Sequence, residues 1–132
     1  MSKQRIIPDP VTGPDTRQYW QAANEGTLLI GNCTACARTY FYPRPHCPHC
    51  FSDKVELIPA KGGGTVYSFS ILRRVEVPYC LAYVTLDEGP SMMTNIVECD
   101  LHRIRIGDRV RLVFHASAGG QAVPMFTPTG HD

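Results

Sequence analysis

The feature that most restricts this chain is Cys33-Thr34-Ala35-Cys36 followed, ten residues later, by Cys47-Pro48-His49-Cys50. A Cys-x-x-Cys pair closes a tight knuckle that turns two sulfurs toward one point. Two facing knuckles supply four thiolates in a tetrahedron. Zn²⁺ suits that arrangement because it has no d-electron geometric preference and binds thiolate at about 2.3 Å. The spacing is a zinc-ribbon signature. Four cysteines leave no position open for water or substrate, so the expected site is closed and structural. Iron in the same S₄ cage and a set of disulfides also satisfy the spacing. His46 and His49 read as turn residues beside the metal, with the four sulfurs as its ligands. A segment of roughly 30 residues buries too little surface to fold alone, so the metal must supply the missing stability. Structural zinc contributes about 10–16 kcal/mol in small peptides, and that energy is folding energy.

The 132 residues allow one domain or two small lobes, and an apolar fraction of 43% is enough for a packed core. Thirteen basic against twelve acidic residues leave a formal charge of +1. That balance argues against a protein held to nucleic acid mainly by phosphate neutralisation. Eleven glycines and eleven prolines point to many turns and a mainly β chain. No apolar run reaches the roughly 18 residues of a membrane span. Met1 to Pro8 lack the apolar core of a signal peptide. The expected location is a reducing cytoplasm, where paired Cys-x-x-Cys motifs favour metal over disulfide.

Residues 1–14, broken by Pro8, Pro10, Gly13 and Pro14, are expected to form an extended arm. Asp15 or Thr16 can cap a short helix over Arg17 to Glu25 that Gly26 ends. Tyr19, Trp20 and Ala23 share its apolar face. Trp20 then anchors the helix on the ribbon or barrel, or belongs to a partner interface, where Trp is enriched. Thr27 to Asn32 reads as the first ribbon strand and Tyr40-Phe41-Tyr42-Pro43 as its return. Phe51 to Pro59 leads away, and Lys61-Gly62-Gly63-Gly64 is a hinge; the P-loop pattern is absent, so a phosphate cradle is not expected there. The boundaries that follow are an arm over 1–14, helix and ribbon over 15–60, and a barrel over 61–132.

From Thr65 the period becomes two. Tyr67, Phe69 and Ile71 alternate with Val66, Ser68 and Ser70. Tyr79 to Asp87 sets Leu81, Tyr83 and Thr85 opposite Ala82, Val84 and Leu86. The turn Asp87-Glu88-Gly89-Pro90 joins it to a strand over Ser91 to Glu98. Arg109 to His115 places Val110, Leu112 and Phe114 inward, and Ala122 to Thr127 is the last strand. Five short strands with glycine-marked turns suggest a small closed barrel of the OB type. The expected fold is therefore mainly β: an N-terminal helix and rubredoxin-like zinc ribbon, then a five-stranded OB-fold barrel.

The order of these features resembles a known family. The likeness is carried by Phe41-Tyr42-Pro43-Arg44-Pro45-His46-Cys47-Pro48-His49-Cys50, Gly64-Thr65-Val66-Tyr67-Ser68-Phe69-Ser70, Val84-Thr85-Leu86-Asp87-Glu88-Gly89-Pro90, Asn95-Ile96-Val97 and Ile106-Gly107-Asp108-Arg109-Val110. Together, over roughly residues 15 to 128, they resemble the zinc-ribbon/OB-fold acyl-CoA-associated proteins. The resemblance implies a small non-catalytic companion of a thiolase-like or hydratase-like enzyme. It also implies structural zinc on Cys33, Cys36, Cys47 and Cys50, and CoA held in some assemblies between the subunits.

An enzyme needs a nucleophile, an acid/base group or an open metal, and none assembles here. Cys80 and Cys99 fall in or beside strands, where free cysteine is usually buried and inert. His102 and His115 read as surface residues, and Asp87-Glu88 as a turn. Arg73-Arg74, Arg103, Arg105, Arg109 and Arg111 are either solvated rim charges or a site for CoA phosphates, which Arg takes bidentately. Arg73, Arg74, Arg109 and Arg111 are the candidates for that role. The alternative function is single-stranded nucleic-acid binding by the barrel, with Tyr67, Phe69, Tyr79 and Tyr83 as stacking aromatics. Electron transfer by a rubredoxin-like iron site is a third reading.

Overall fold

The computed structural model describes residues 5–129; Met1 to Gln4 of the expected arm lie outside the described residues. The arm over residues 5–14 has no regular structure up to the turn that precedes the helix. It is nonetheless tied down. Ala118 N–H donates to the Ile7 carbonyl at 2.8 Å, and the Asp9 carboxylate accepts from Ser117 Oγ at 2.6 Å and Gly119 N–H at 2.7 Å.

Helix α1 spans Arg17–Asn24. Thr16 is its N-cap residue but makes no side-chain cap; its hydroxyl instead bonds back to Gly13. The other end is a Schellman motif. Gly26 takes φ +85, its N–H bonds the Ala23 carbonyl at 3.0 Å, and Thr27 N–H bonds the Ala22 carbonyl at 3.0 Å. Tyr19 and Ala23 are buried. Asn24 Oδ1 accepts from Ala122 N–H at 2.9 Å, and Gln121 Nε2 donates to the Trp20 carbonyl at 3.0 Å, which seats the helix on the last barrel strand.

The ribbon is a three-stranded antiparallel sheet: β1 (Leu29–Cys33) between β2 (Thr39–Tyr40) and β3 (Val55–Pro59). This differs from the sequence reading in two places. The return strand stops at Tyr40, because Phe41 and Tyr42 leave the sheet to pack on Tyr19, with ring centroids 5.8 and 5.0 Å away. And 55–59 does not lead away: it pairs along all of β1, from Leu29↔Pro59 to Cys33↔Val55.

Strands β4 (Gly63–Leu72), β5 (Tyr79–Leu86), β6 (Ser91–Ile96), β7 (Arg109–Ala116) and β8 (Ala122–Pro128) close a barrel in the order β4-β5-β6-β8-β7. All contacts are antiparallel except β6 with β8, which meet in parallel at Ile96↔Phe126. This is the OB arrangement expected, though the hinge shrinks to Lys61 and Gly62, since Gly63 and Gly64 already belong to β4. At Gly64 the neighbouring strand comes so close that a Cβ would lie 2.5 Å from Val84 Cγ1.

The alternation of β4 also differs from expectation. A bulge between Val66 and Ser68 leaves Tyr67 without a partner on β5. One extra residue switches the faces: Val66 points in before it, Phe69 and Ile71 after it, and Tyr67 is thrown out to solvent. In β5 the division holds, with Cys80, Ala82, Val84 and Leu86 inward. A 3₁₀ turn at Leu101–Arg103 packs Leu101 against the core that the following Ile104 joins. One hydrophobic core runs through both parts, joining Tyr19, Leu28 and Ile30 to Val66, Val84, Ile96, Val110 and Phe126.

Candidate metal centre

The two knuckles are built alike. In the first, Ala37 N–H bonds the Cys33 carbonyl and Cys33 N–H bonds the Arg38 carbonyl, both at 2.9 Å. In the second, Phe51 N–H bonds the Cys47 carbonyl and Cys47 N–H bonds the Ser52 carbonyl, again at 2.9 Å. The residue after each second cysteine turns into the left-handed region, Ala37 at φ 62 and Phe51 at φ 64. Backbone N–H groups also point at sulfur, from Cys36 to Cys33 Sγ at 3.4 Å and from His49 to Cys47 Sγ at 3.3 Å. Such donors stabilise negative charge on thiolate.

The four sulfurs lie within 4.8 Å of one another. Cys33 and Cys50 are 3.6 Å apart, Cys36 and Cys47 3.7 Å. A ZnS₄ tetrahedron with bonds of about 2.3 Å has edges of about 3.8 Å, so the donor set fits a cation at its centre. A disulfide needs about 2.05 Å, and all six cysteines are unpaired. The disulfide alternative therefore falls. The sulfurs also differ electrostatically. Burial works against ionising Cys47, but the N–H groups of Cys50 and His49 outweigh it and bring the thiol down to about 6, whereas burial pushes Cys36 up to about 12. A doubly charged cation overrides such differences, because thiols that coordinate it are deprotonated. His49 Nε2 donates to the Thr39 carbonyl at 3.4 Å and stays outside the sulfur cluster.

The arginine candidates are not gathered in one place. Arg109 and Arg111 pair with Thr65 and Gly63 at one end of β4; Arg73 and Arg74 follow Leu72 at the other, about 25 Å along the strand. Arg109 is also engaged. Its guanidinium forks onto Asp87 at 2.7 and 2.9 Å and donates to Thr65 Oγ1 at 3.0 Å. Arg109 holds the Asp87 carboxyl below the usual carboxylate range through these bonds.

Neither cysteine outside the ribbon is poised as a nucleophile. Burial pushes Cys80 up to about 11 and also raises Cys99. His115 is not the lone surface histidine expected: its Nε2 meets Glu98 Oε2 at 2.7 Å beside Cys99, on the edge of an apolar cleft of about 740 Å³. Glu98 reaches it from a left-handed backbone, φ 58. Nothing in the spacing of residues 98 and 115 announces this pair. The arm's anchors, Arg5 and Asp9, went equally unread. The Arg5 guanidinium stacks 3.7 Å from the Tyr79 ring centre and donates to Asn95 Oδ1 at 3.1 Å. Of the four aromatics proposed for base stacking, Phe69 packs against the core and Tyr79 lies under Arg5; Tyr67 and Tyr83 are the exposed ones.

Among the described residues no helix is long and apolar enough to cross a membrane. Comparisons with known proteins agree with the architecture. The profile of the ChsH2 rubredoxin-like zinc ribbon domain matches residues 20–56, and that of the ChsH2 C-terminal OB-fold domain residues 57–115. A probable enoyl-CoA hydratase alpha subunit of Thermomonospora curvata is 33% identical over 93% of this chain, which spans 40% of that protein's length. A DUF35 domain-containing scaffold protein of Methanothermobacter thermautotrophicus is 32% identical, with 76% of this chain and 81% of the relative covered. Among solved structures, the Ltp2-ChsH2(DUF35) aldolase includes a chain that superposes with a TM-score of 0.80 at 33% identity, covering 91% of this chain and 98% of that one. A DUF35-family protein of unknown function from Sulfolobus solfataricus shares the fold, with a TM-score of 0.66 at 16% identity, over 89% of this chain and 87% of that one. With a zinc ribbon, a closed OB barrel and scaffold relatives matched over most of their length, the chain belongs to the DUF35 family of ChsH2-like proteins.

Proposed function

We propose that this chain is a non-catalytic, zinc-binding accessory subunit of an enzyme that processes a CoA thioester, with a thiolase-like or hydratase-like catalytic partner in the cytoplasm. The observation that carries the reading is the closed sulfur cage. Four thiols converge as a full tetrahedral donor set, so a metal there holds structure and offers no Lewis-acid position to a substrate. Cys33, Cys36, Cys47 and Cys50 are its ligands. Elsewhere among the described residues, the two remaining thiols are raised by burial and no side chain is arranged to activate them. The partner class is supported by the names of the hydratase subunit and the aldolase assembly that this chain resembles. CoA is shared with the partner, its phosphates taken by Arg73 and Arg74 on the β4–β5 loop or by Arg111, while Arg109 is already committed to Asp87. The helix and ribbon (15–60) and the barrel (61–132) act as one supporting body.

The test is co-expression. The purified chain should contain one zinc, appear colourless and turn over no acyl-CoA alone, and it should co-purify with an enzyme whose activity or solubility falls when it is omitted. Turnover of a thioester by the lone chain, or iron in the cage, overturns the reading.

A further inference from the structure

The outward face of β4–β5–β6 carries the exposed apolar residues that stand together; the other exposed ones, such as Ile6, Phe51 and Ile106, are scattered over the arm, a knuckle and a turn. Tyr83 and Met93 are direct cross-strand partners, Leu81 is two residues along β5 on the same side, and Tyr67 is the bulged residue beside Tyr83. Their exposures are 69% for Tyr67, 49% for Tyr83, 56% for Met93 and 36% for Leu81. No outward position on these three strands bears a charge. Tyrosine and methionine enriched where charge is depleted is the composition of an interface core. The bulge trims the patch: without the extra residue Phe69 would stand on the outward face with Tyr67 instead of packing against the core.

We propose that this face docks an uncharged, apolar surface of the catalytic partner. The inference rests on the accessory-subunit reading and names the surface through which it works. Two physical arguments select the occupant. The cations that touch its outward residues are already engaged, Arg5 on Tyr79 and Asn95 and Arg109 on Asp87 and Thr65, so a nucleic acid would gain stacking with little charge neutralisation. A second copy is too small a gain. At about 200 Å² per large side chain, the exposed part of the patch is roughly 400 Å², and a self-pair would bury roughly 800 Å², within the range of crystal contacts and short of a specific interface. A different protein whose footprint continues past the patch reaches the required area.

The probe is the thiolase-like or hydratase-like enzyme that co-purifies with the native chain, identified by mass spectrometry and then produced separately. Tyr83→Lys and Met93→Glu, both outward and outside the core, should each weaken its binding by about 30-fold or more, while Ile106→Ser leaves it unchanged. Hydroxyl-radical footprinting of the unaltered chain should show Tyr67, Tyr83 and Met93 protected in the complex, which guards against variants that misfold. If no such enzyme is recovered, the subunit reading fails and this surface with it. If the enzyme binds the variants as tightly as the native chain and the three residues stay labelled, the face is refuted and the subunit reading stands. A dimer of the isolated chain that Met93→Glu dissociates, or oligonucleotide binding that Tyr83→Lys abolishes, also overturns the assignment.

Discussion

Removing the metal should destabilise the barrel as well as the ribbon. The perturbation is chelation, or Cys47→Ser, which takes one ligand from the cage. The ribbon is held by the metal, but its residues also sit in the barrel's core. Leu28 is 1% exposed and Ile30 0%, both in the same cluster as Val84 and Phe126. Burying a Leu or Ile contributes about 1.5–3 kcal/mol each, so releasing this pair costs the barrel roughly 3–6 kcal/mol. Phe41, Tyr42, Leu57 and Ile58 pack on the same core and add to it. A domain's whole stability is about 5–15 kcal/mol, so the loss is a large share of it. The sole tryptophan makes the assay simple. Trp20 Nε1 donates to Tyr42 Oη at 2.8 Å, at the junction of helix and ribbon, and its emission reports that junction; far-UV circular dichroism reports the barrel. Thermal unfolding after chelation should show both signals moving in one transition, with Tm lowered by about 10–25 °C. If Trp20 emission changes while the circular dichroism transition keeps its Tm, the barrel is independent and the shared-core argument is wrong.

Three further predictions follow from local geometry. Gly64→Ala should destabilise by about 1–3 kcal/mol, because the new Cβ meets Val84 Cγ1 at 2.5 Å and the Thr85 carbonyl at 3.0 Å on the paired strand; denaturant unfolding at constant m-value would show it, and an unchanged midpoint refutes the close approach. Ala37→Gly should raise the unfolding free energy by up to about 1 kcal/mol in the same denaturant assay, since it relieves a left-handed residue at φ 62 while leaving the knuckle hydrogen bonds in place; an unchanged or lower midpoint refutes the strain. Asp87→Asn tests the ion pair through pH. Arg109 depresses the folded-state pKa of Asp87 below its ordinary 3.8, so the stabilisation is present above that value and lost as pH falls through the folded pKa. The variant should melt below the native chain at pH 7, with the gap closing as pH drops below 3.8; a gap independent of pH would exclude the ion pair as its source.

What could be read from the sequence was what repeats or is local. The cysteine spacing announces the cage, the period of two announces β5 and β7, and Gly26 announces the end of α1, each a signal carried within a few residues. What escaped reading depends on distance along the chain or on one extra residue. Strand β3 was missed because Val55 to Pro59 acquires its meaning only from β1, more than twenty residues earlier. The faces of β4 were missed because a bulge carries no residue signature at Val66-Tyr67-Ser68, yet it parts Tyr67 from Phe69, which plain alternation puts on one face. Arg109 looked like a phosphate ligand because its partner Asp87 lies 22 residues away, in what read as a plain turn. The family resemblance conveys the architecture and nothing about these pairings, which are set by tertiary contact.

That turn shows why the ion pair belongs to the architecture. Arg109 grips the Asp87 carboxylate from β7, and the next residue faces the ribbon: the Glu88 carbonyl accepts from Thr39 Oγ1 at 3.0 Å, and Glu88 Oε2 accepts from Lys61 N–H at 2.7 Å. The β5–β6 turn is therefore held at once by the barrel, by β2 of the ribbon and by the connection between them. Helix α1 does the same from the other side of the chain through Asn24 and Gln121. Exposed charges contribute little energy singly, so the effect of these bonds is geometric: they fix how ribbon and barrel are turned relative to each other. A supporting subunit needs that property. Each joint frozen beforehand is one whose entropy need not be lost on binding, and on the docking proposal a rigid angle between ribbon and barrel would present the β4–β5–β6 face to the partner in one orientation.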